Sequence, residues 1–254
     1  MRNILAIAHK ELRSYFASPI AYVLIGFFAI LYGYFFAFIL QAFVRQSMQA
    51  GLMGGPQSMN VNQQVIRPIF QNVTVIALFL LPMVTMRTYA EEKRSGTIEL
   101  LLTSPVTDFE IVMGKFLGAM GLYCAMLAVT IVHLFVLFKW GNPEWKPILT
   151  AYLGFLLFGG CFISMGLFIS SLSKNQIVAG TVTFAVFLLL WIISWIGSIS
   201  PDMEKLTTYL SIVDHFDDFT KGVIDTSHLV YYLSFITFGL FLTAKSVDSE
   251  RWRG

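Results

Sequence analysis

The chain has 254 residues, of which 56% are hydrophobic and only 13% are charged. Water-soluble domains carry roughly 25% charged residues, so this composition excludes an ordinary soluble globule and indicates a membrane protein. The net charge of +2 is too small to indicate binding to nucleic acid. The two cysteines, Cys124 and Cys161, lie in apolar runs and are too few for a disulfide framework.

Six segments approach the roughly 20 mainly apolar residues that a membrane-spanning helix needs. The predicted spans are residues 20–44, 69–86, 111–138, 148–172, 177–199 and 229–244. The second span reaches sufficient length only by including Gln71 and Asn72. The sixth needs Ser227 and His228, or an extension through Val247. The expected fold class is therefore an all-α membrane protein in which six transmembrane helices form one domain.

A further helix is predicted before the first span, in residues 1–18. Its apolar residues repeat at helical spacing and are Ile4, Leu5, Ala8, Leu12, Tyr15 and Phe16. This amphipathic pattern is typical of a helix that lies in the membrane interface. Pro19 favours a bend between that helix and the first span.

The distribution of basic residues predicts the orientation of the chain. Eleven of the 17 Lys and Arg residues lie on one face of the predicted topology, and six lie on the other. Since Lys and Arg are retained on the cytoplasmic side, both termini and residues 87–110 are predicted to be cytoplasmic. Residues 200–228 are then predicted to lie on the outer face.

Ionisable residues are nearly absent from the predicted membrane interior. Lys115, near the start of the third span, is expected to extend its ammonium group to the cytoplasmic interface. Ion-coupled carriers and proton relays usually need ionisable groups at membrane depth, so we expect the energy source to lie outside the membrane. Gly114 and Gly118 form a GxxxG motif, which permits close helix approach.

Catalytic and metal-binding motifs are also absent from the sequence. It contains no GxxxxGK[ST], HExxH, CxxC or GxSxG motif, and its four histidines are too scattered to indicate a metal site. The sequence therefore predicts no catalytic residue, no metal ligand and no cofactor in this chain. ATP would have to be bound by another chain.

Residues 87–110, which join the second and third spans, contain a dense series of helix signals. We call them the 2–3 connection. Glu91 can pair with Arg87 and with Arg94 in a helix that leaves the membrane. Gly96 can end that helix in the left-handed conformation.

A short second helix is predicted in the 2–3 connection. Thr97 is expected to cap it, and Pro105 interrupts it. Thr107 and Glu110 then form a capping box that begins the third span. The short helix carries three leucines, Leu100, Leu101 and Leu102. A solvated loop would explain the basic residues but not these leucines, so we interpret the 2–3 connection as a docking surface.

Residues 200–228 carry apolar side chains every three or four positions, opposite acidic ones. This spacing predicts an amphipathic helical hairpin. It should lie on the outer surface, because burying so many acids would cost about 2.5–3.5 kcal/mol each. Phe216, Asp218 and Phe219 are candidate residues of an outer gate. The alternative is a hairpin that only shields the ends of the spans.

The 2–3 connection resembles the signature of ABC-2-type transporter permeases. The matching residues are Arg87, Tyr89, Ala90, Glu91, Glu92, Lys93, Arg94, Ser95, Gly96, Thr97, Glu99, Leu100, Leu101, Leu102, Pro105, Gly114 and Lys115. Two further stretches resemble the gliding-motility-associated subfamily. These are residues 10–19 and the pairs His215-Phe216 and Asp218-Phe219.

The resemblance implies a bacterial inner-membrane complex of two permease subunits, identical or paralogous, and two cytoplasmic P-loop ATPase subunits that bind ATP and Mg²⁺. It implies a coupling role for Arg87, Glu91, Glu92, Lys93, Arg94, Gly96, Thr97, Glu99, Leu100, Leu101 and Leu102. The subfamily further implies an accessory membrane protein with a large outer domain. Export is the expected direction. A channel or secondary carrier that needs no ATP, and a membrane scaffold of a surface-assembly machine, remain the alternatives.

Overall fold

A computed structural model of the chain describes residues 2–52, 60–199 and 204–251. Within those ranges the regular structure is entirely helical, which confirms the expected all-α fold. The elements are α1 (Arg2–Ala17), α2 (Pro19–Leu52), a π-helical turn (Asn62–Ile66), α3 (Arg67–Thr85), α4 (Arg87–Ser95), α5 (Ile98–Leu102), α6 (Asp108–Trp140), α7 (Trp145–Leu172), α8 (Gln176–Ile199), α9 (Glu204–Leu210), α10 (Ile212–Thr220) and α11 (Thr226–Arg251).

Six helical segments of the described chain are long and apolar enough to cross a membrane. In chain order they are span 1 (α2), span 2 (the π-helical turn with α3), span 3 (α6), span 4 (α7), span 5 (α8) and span 6 (α11). Span 2 looked short in the sequence, but the helical run that contains it extends from Asn62 to Ser95 because α4 follows α3 almost without a break. Span 6 likewise continues to Arg251.

Spans 2 and 4 form the centre of the bundle. In their most apolar stretches 67% and 72% of the residues are buried, compared with 22% in span 1. Spans 5 and 6 are as open as span 1, and their exposed residues are mainly apolar. Apolar faces of this kind suit contact with lipid, so the bundle has the exposure pattern of a membrane protein.

Helix α1 ends at a bend at Ser18, as the sequence predicted, and packs along span 3. The GxxxG motif lies in this contact. A Cβ atom added to Gly114 would lie 2.6 Å from the side chain of Ile7, and one added to Gly118 would lie 2.6 Å from Cβ of Glu11. The motif therefore permits close helix approach as expected, and the helix that it admits is α1.

Candidate functional site

The 2–3 connection has the predicted form of helix, turn, short helix, turn and helix. Gly96 ends α4 with a left-handed φ of 73°. At the start of span 3, the hydroxyl of Thr107 accepts the backbone N–H of Glu110, and the Glu110 carboxylate accepts the N–H of Thr107. The predicted helix end and the predicted capping box are both confirmed.

Thr97 lies at the predicted start of the short helix, but it does not cap that helix. Its backbone is helical, with φ −74° and ψ −12°, and its side chain makes no capping hydrogen bond. The hydroxyl lies 2.9 Å from the hydroxyl of Ser95 instead. A capping side chain needs an extended backbone at its own residue. The prediction of a Thr97 cap was therefore wrong, although the position of the helix was right.

Ser170 of span 4 binds the backbone at the junction of span 2 and α4. Its Oγ accepts the N–H groups of Tyr89 and Ala90, each at 3.1 Å, and donates to the carbonyl of Met86 at 2.9 Å. The first N–H groups of a helix have no partner within that helix. The Ser170 hydroxyl therefore supplies an acceptor for the N–H of Tyr89, which has none within α4, also accepts the N–H of Ala90, and attaches α4 to span 4.

Lys115 extends its ammonium group toward α1 and α4, where it is buried within the protein. Its side chain is 0% exposed, and Nζ lies 3.0 Å from the carboxylate of Glu11 and 2.9 Å from that of Glu92. Nζ also donates to the carbonyl of Thr88 at 3.1 Å and lies 5.0 Å from the ring centroid of Tyr89. Sequence analysis did not predict these partners, which α1 and α4 supply and which a buried charge needs. That the group reaches the cytoplasmic interface stays a prediction.

Lys10 completes this polar group, since its Nζ lies 3.3 Å from Glu11 and 3.2 Å from Glu92. We call Lys10, Glu11, Glu92 and Lys115 the Lys115 cluster. Burial alone would raise the pKa of Glu11, but Lys115 and Lys10 outweigh it and lower that pKa. Burial would lower the pKa of Lys10, but Glu11 and Glu92 raise it. Both groups are therefore charged at neutral pH.

Span 6 contacts the 2–3 connection from another side. Lys93, whose side chain is 6% exposed, places Nζ 2.6 Å from the carboxylate of Glu250. Arg251 places Nη2 2.8 Å from the carboxylate of Asp108, at the start of span 3. The end of α11 is thus bonded to α4, in the first half of the 2–3 connection, and to Asp108, near the end of that connection.

The predicted coupling residues fall into two groups. Glu92 and Lys93 point into the molecule, whereas the exposed group is Glu91, Arg94, Gly96, Thr97, Glu99 and Leu100. Leu101 packs against the core, and the side chain of Leu102 lies outside the described part of the structure.

The predicted pairing of Glu91 with Arg87 is confirmed. Nε of Arg87 lies 2.9 Å from the carboxylate of Glu91. Within the described residues, Arg94 does not join this pair. The guanidinium of Arg87 therefore binds Glu91 within α4, while Arg94 stays on the exposed face of the helix.

On the opposite side of the bundle, α9 and α10 confirm the prediction of short helices between spans 5 and 6, and residues 200–203 lie outside the described residues. Phe216 and Phe219 of α10 are buried. The ring centroid of Phe216 lies 4.7 Å from that of Phe155 in span 4. A Cβ atom added to Gly154 would lie 2.8 Å from Cβ of Phe219. The apolar face of α10 therefore packs on span 4.

The polar face of α10 borders a pocket of about 950 Å³. Arg67, at the start of α3, donates two hydrogen bonds of 2.8 Å to the two carboxylate oxygens of Asp217. Lys221 lies 2.7 Å from Asp218. Sequence analysis missed Arg67, because a single Arg before a predicted span carries no sign of a partner 150 residues away.

His215 and His228 contact each other on the same face. Their Nδ1 atoms lie 2.6 Å apart, Nε2 of His215 lies 3.0 Å from the carbonyl of Tyr209, and Nε2 of His228 lies 2.9 Å from Asp218. A carbonyl and a carboxylate only accept, so both Nε2 atoms carry hydrogens. Burial lowers the pKa of His215 and favours its neutral form.

Six apolar helices, an apolar lipid-facing surface and a compact helical connection between spans 2 and 3 define a multi-pass membrane protein. A model of the ABC-2 family of transporter proteins matches residues 5–244. The chain belongs to that family, as its resemblance predicted. The gliding-motility-associated subfamily stays a prediction.

Two relatives are similar over the same fraction of the chain. The probable multidrug ABC transporter permease YbhR of Escherichia coli K12 is 28% identical over 165 residues, which make up 63% of this chain and 43% of that protein. The inner membrane transport permease YhhJ of the same organism is 30% identical over 162 residues, which make up 63% and 42%. The similarity thus spans less than half the length of either relative.

Proposed function

We propose that this chain is the membrane permease subunit of an ATP-driven ABC transporter, and that a separate P-loop ATPase drives it through the 2–3 connection. One observation carries the proposal. Helix α4 presents an exposed face, continues span 2, and is bonded to spans 3, 4 and 6 through Lys115, Ser170 and Glu250. A push on α4 is therefore delivered to four spans at once, which is the property that a coupling element needs.

The exposure of each residue indicates which of two proposed roles it has in coupling: contact with the ATPase, or transmission of the movement to the spans. Glu91, Arg94, Glu99 and Leu100 lie on the surface, and Leu100 is 73% exposed. They are the proposed contacts with the ATPase, since an exposed leucine between charged residues suits a protein interface. Glu92 and Lys93 are bonded inward and pass the movement on.

The proposed assembly contains two copies of the permease, identical or paralogous, and two ATPase subunits that hold ATP and Mg²⁺. It lies in a bacterial inner membrane with both termini in the cytoplasm, and export is the proposed direction. An accessory membrane protein with a large outer domain is a further proposed partner. The names of the relatives, a multidrug and an inner membrane transport permease, support transport as the activity.

Co-purification tests the ATPase partner. We expect a P-loop ATPase to purify with the tagged chain from its native membranes, and Leu100→Asp with Glu91→Arg to abolish that association while the chain still inserts. Glu144→Lys is the matched control, because this exposed residue lies at the other end of the spans. If only the Glu144→Lys control lost the ATPase, or if transport continued without any ATPase, the result would support a channel, carrier or scaffold instead.

An outer gate formed by Phe216, Asp218 and Phe219 is part of the proposal. Because both rings pack on span 4, movement of that span reaches α10 directly. We expect Phe216→Ala with Phe219→Ala to leave ATP hydrolysis in place while its link to transport changes. If the double variant melts at a lower temperature but ATP hydrolysis still drives transport as before, α10 only shields the ends of the spans.

A further inference from the structure

We infer that the Lys115 cluster is a second transmission route, by which movement of α4 is passed to span 3 with α1 as an integral part of the moving unit. Lys115 is its positioning residue. This inference rests on the proposed function and deepens it, because it assigns roles to an N-terminal helix and a buried lysine.

The first route is the continuity of the chain. Span 2 enters α4 through Met86, whose backbone stays helical with φ −54° and ψ −33°. No comparable continuity joins α4 to span 3, because Gly96 ends α4 and the turn from Thr103 to Thr107 separates α5 from α6. Movement of α4 therefore needs another link if span 3 is to follow.

Lys115 supplies that link. Within the described residues, each hydrogen bond and ion pair between α4 and span 3 is made by this side chain, to Glu92 and to the carbonyl of Thr88. Its ammonium group is buried, so losing these acceptors would leave an ion with unsatisfied donors in a site shielded from bulk solvent. That state is costly, and α4 is therefore held against span 3.

Helix α1 is bonded both to Lys115 of span 3 and to Glu92 of α4. Glu11 accepts from Lys115, and Lys10 pairs with Glu92. The glycine contact at Gly118 brings Glu11 within reach of Lys115. The Tyr15 hydroxyl donates to the carbonyl of Val84 at the end of span 2.

The Lys115 cluster holds two cations and two anions. If α4 left with Glu92, or span 3 left with Lys115, a single charge would stay behind unbalanced, so these two elements are held together by charge. Helix α1 carries both Lys10 and Glu11, so it is held instead by the bond from Lys115 to Glu11, by the Tyr15 bond to Val84 and by the close contact at Gly118. Helices α1 and α4 and the start of span 3 are therefore expected to move as one unit. A simple interfacial anchor would not need the buried carboxylate of Glu11.

Cysteine labelling of the complete transporter tests the route. Single cysteines replace Gln63 at the far end of span 2 and Lys139 at the far end of span 3, both exposed, in a chain with Cys124→Ala and Cys161→Ala. The complex with its ATPase is labelled with a soluble maleimide, without nucleotide and after trapping with ATP and vanadate. Trapping should change the labelling rate at both positions.

Lys115→Met should abolish the change at position 139 and keep it at position 63. Lys115→Arg should keep both changes, because a guanidinium preserves the charge. Lys93→Met is the matched control, since it removes a buried lysine of the same connection that binds span 6, and it should keep both changes. If Lys115→Met is not produced, Glu92→Gln should give the same selective loss, because it removes the charged partner on α4.

The outcomes separate the route from the proposed function. A response at position 139 that persists in Lys115→Met or Glu92→Gln would overturn the route, as would loss of ATPase binding in both variants. In the chain with Lys115 intact, a change in labelling rate at position 63 but not at position 139 would also overturn the route. The proposed function would still stand in that case. No response at either position, or no bound ATPase, would refute the proposed function itself.

Discussion

At the scale of single residues, Lys115 shows how much one buried charge depends on its partners. Its two carboxylate partners are only 10% and 16% exposed. Removing Lys115 leaves these two carboxylates with only the exposed Lys10 to balance them.

We therefore expect Lys115→Met to lower the free energy of unfolding by about 3–5 kcal/mol. The triple variant Lys115→Met, Glu11→Gln and Glu92→Gln should recover most of that loss, because it removes the unpaired charges as well. Lys10→Met is the control, and with a side chain that is 61% exposed it should cost at most about 1 kcal/mol. Denaturation in detergent measures all three. A triple variant no more stable than the single one would contradict this account.

The histidine pair gives a prediction for pH. Burial lowers the pKa of His215, so the folded chain favours neutral His215. Between the folded pKa and the ordinary value of 6.5, the unfolded chain binds more protons. Stability is therefore fully present above that value and falls as the pH decreases below it.

Melting temperatures measured in detergent from about pH 8 to about pH 5 check this direction, because that range brackets the titration of histidine. His215→Asn should flatten the decline. His9→Gln should not, because His9 is exposed on α1. A decline of equal slope in all three proteins would assign it to other groups.

The residues that sequence analysis placed correctly were those whose partners lie close in the chain. Gly96, Thr107 and Glu110 act within one or two turns, so local rules predict them. The partners of Lys115 were missed, because Glu11 is 104 residues away and only the packing of α1 brings the two together. Long-range ion pairs leave no trace in local spacing.

At the scale of helices, composition identified all six spans, while the ends of the helices depended on tertiary contacts. Span 6 continues to Arg251 because Glu250 and Arg251 find partners on the 2–3 connection. The sequence also predicted α1 as an amphipathic helix, but its apolar stripe fits a lipid surface and a helix surface equally well. The structure shows that α1 packs on the glycines of span 3 while Leu5 stays exposed, and its position in the membrane interface stays a prediction.

Ser170 links α4 to span 4 by three hydrogen bonds. Ser170→Ala should leave the N–H group of Tyr89 without an acceptor, at a cost of about 1–3 kcal/mol for an unsatisfied buried group. Hydrogen exchange at the Tyr89 amide should accelerate. Ser171→Ala is the matched control, since the hydroxyl of Ser171 binds only the carbonyl of Phe168 in its own helix. Equal exchange in the two variants would show that α4 does not depend on span 4.

At the scale of the whole molecule, six helices are long and apolar enough to cross a membrane, and six crossings would put α1, the end of α11 and the 2–3 connection on one side. That side carries eleven of the 17 basic residues, which predicts that it is cytoplasmic. The same orientation is required by the proposed function, because ATP is supplied from the cytoplasm and the docking residues must face it.

Thiol labelling of intact cells decides the orientation independently of transport. A membrane-impermeant maleimide should label Lys139→Cys and Gln63→Cys from outside, in a chain without native cysteines. Leu100→Cys should react only after the cells are permeabilised, although its side chain is more exposed than most in the bundle. Labelling at position 100 in intact cells would place the exposed leucine of α5 on the side without ATP, and an ATPase partner at the 2–3 connection would then be impossible.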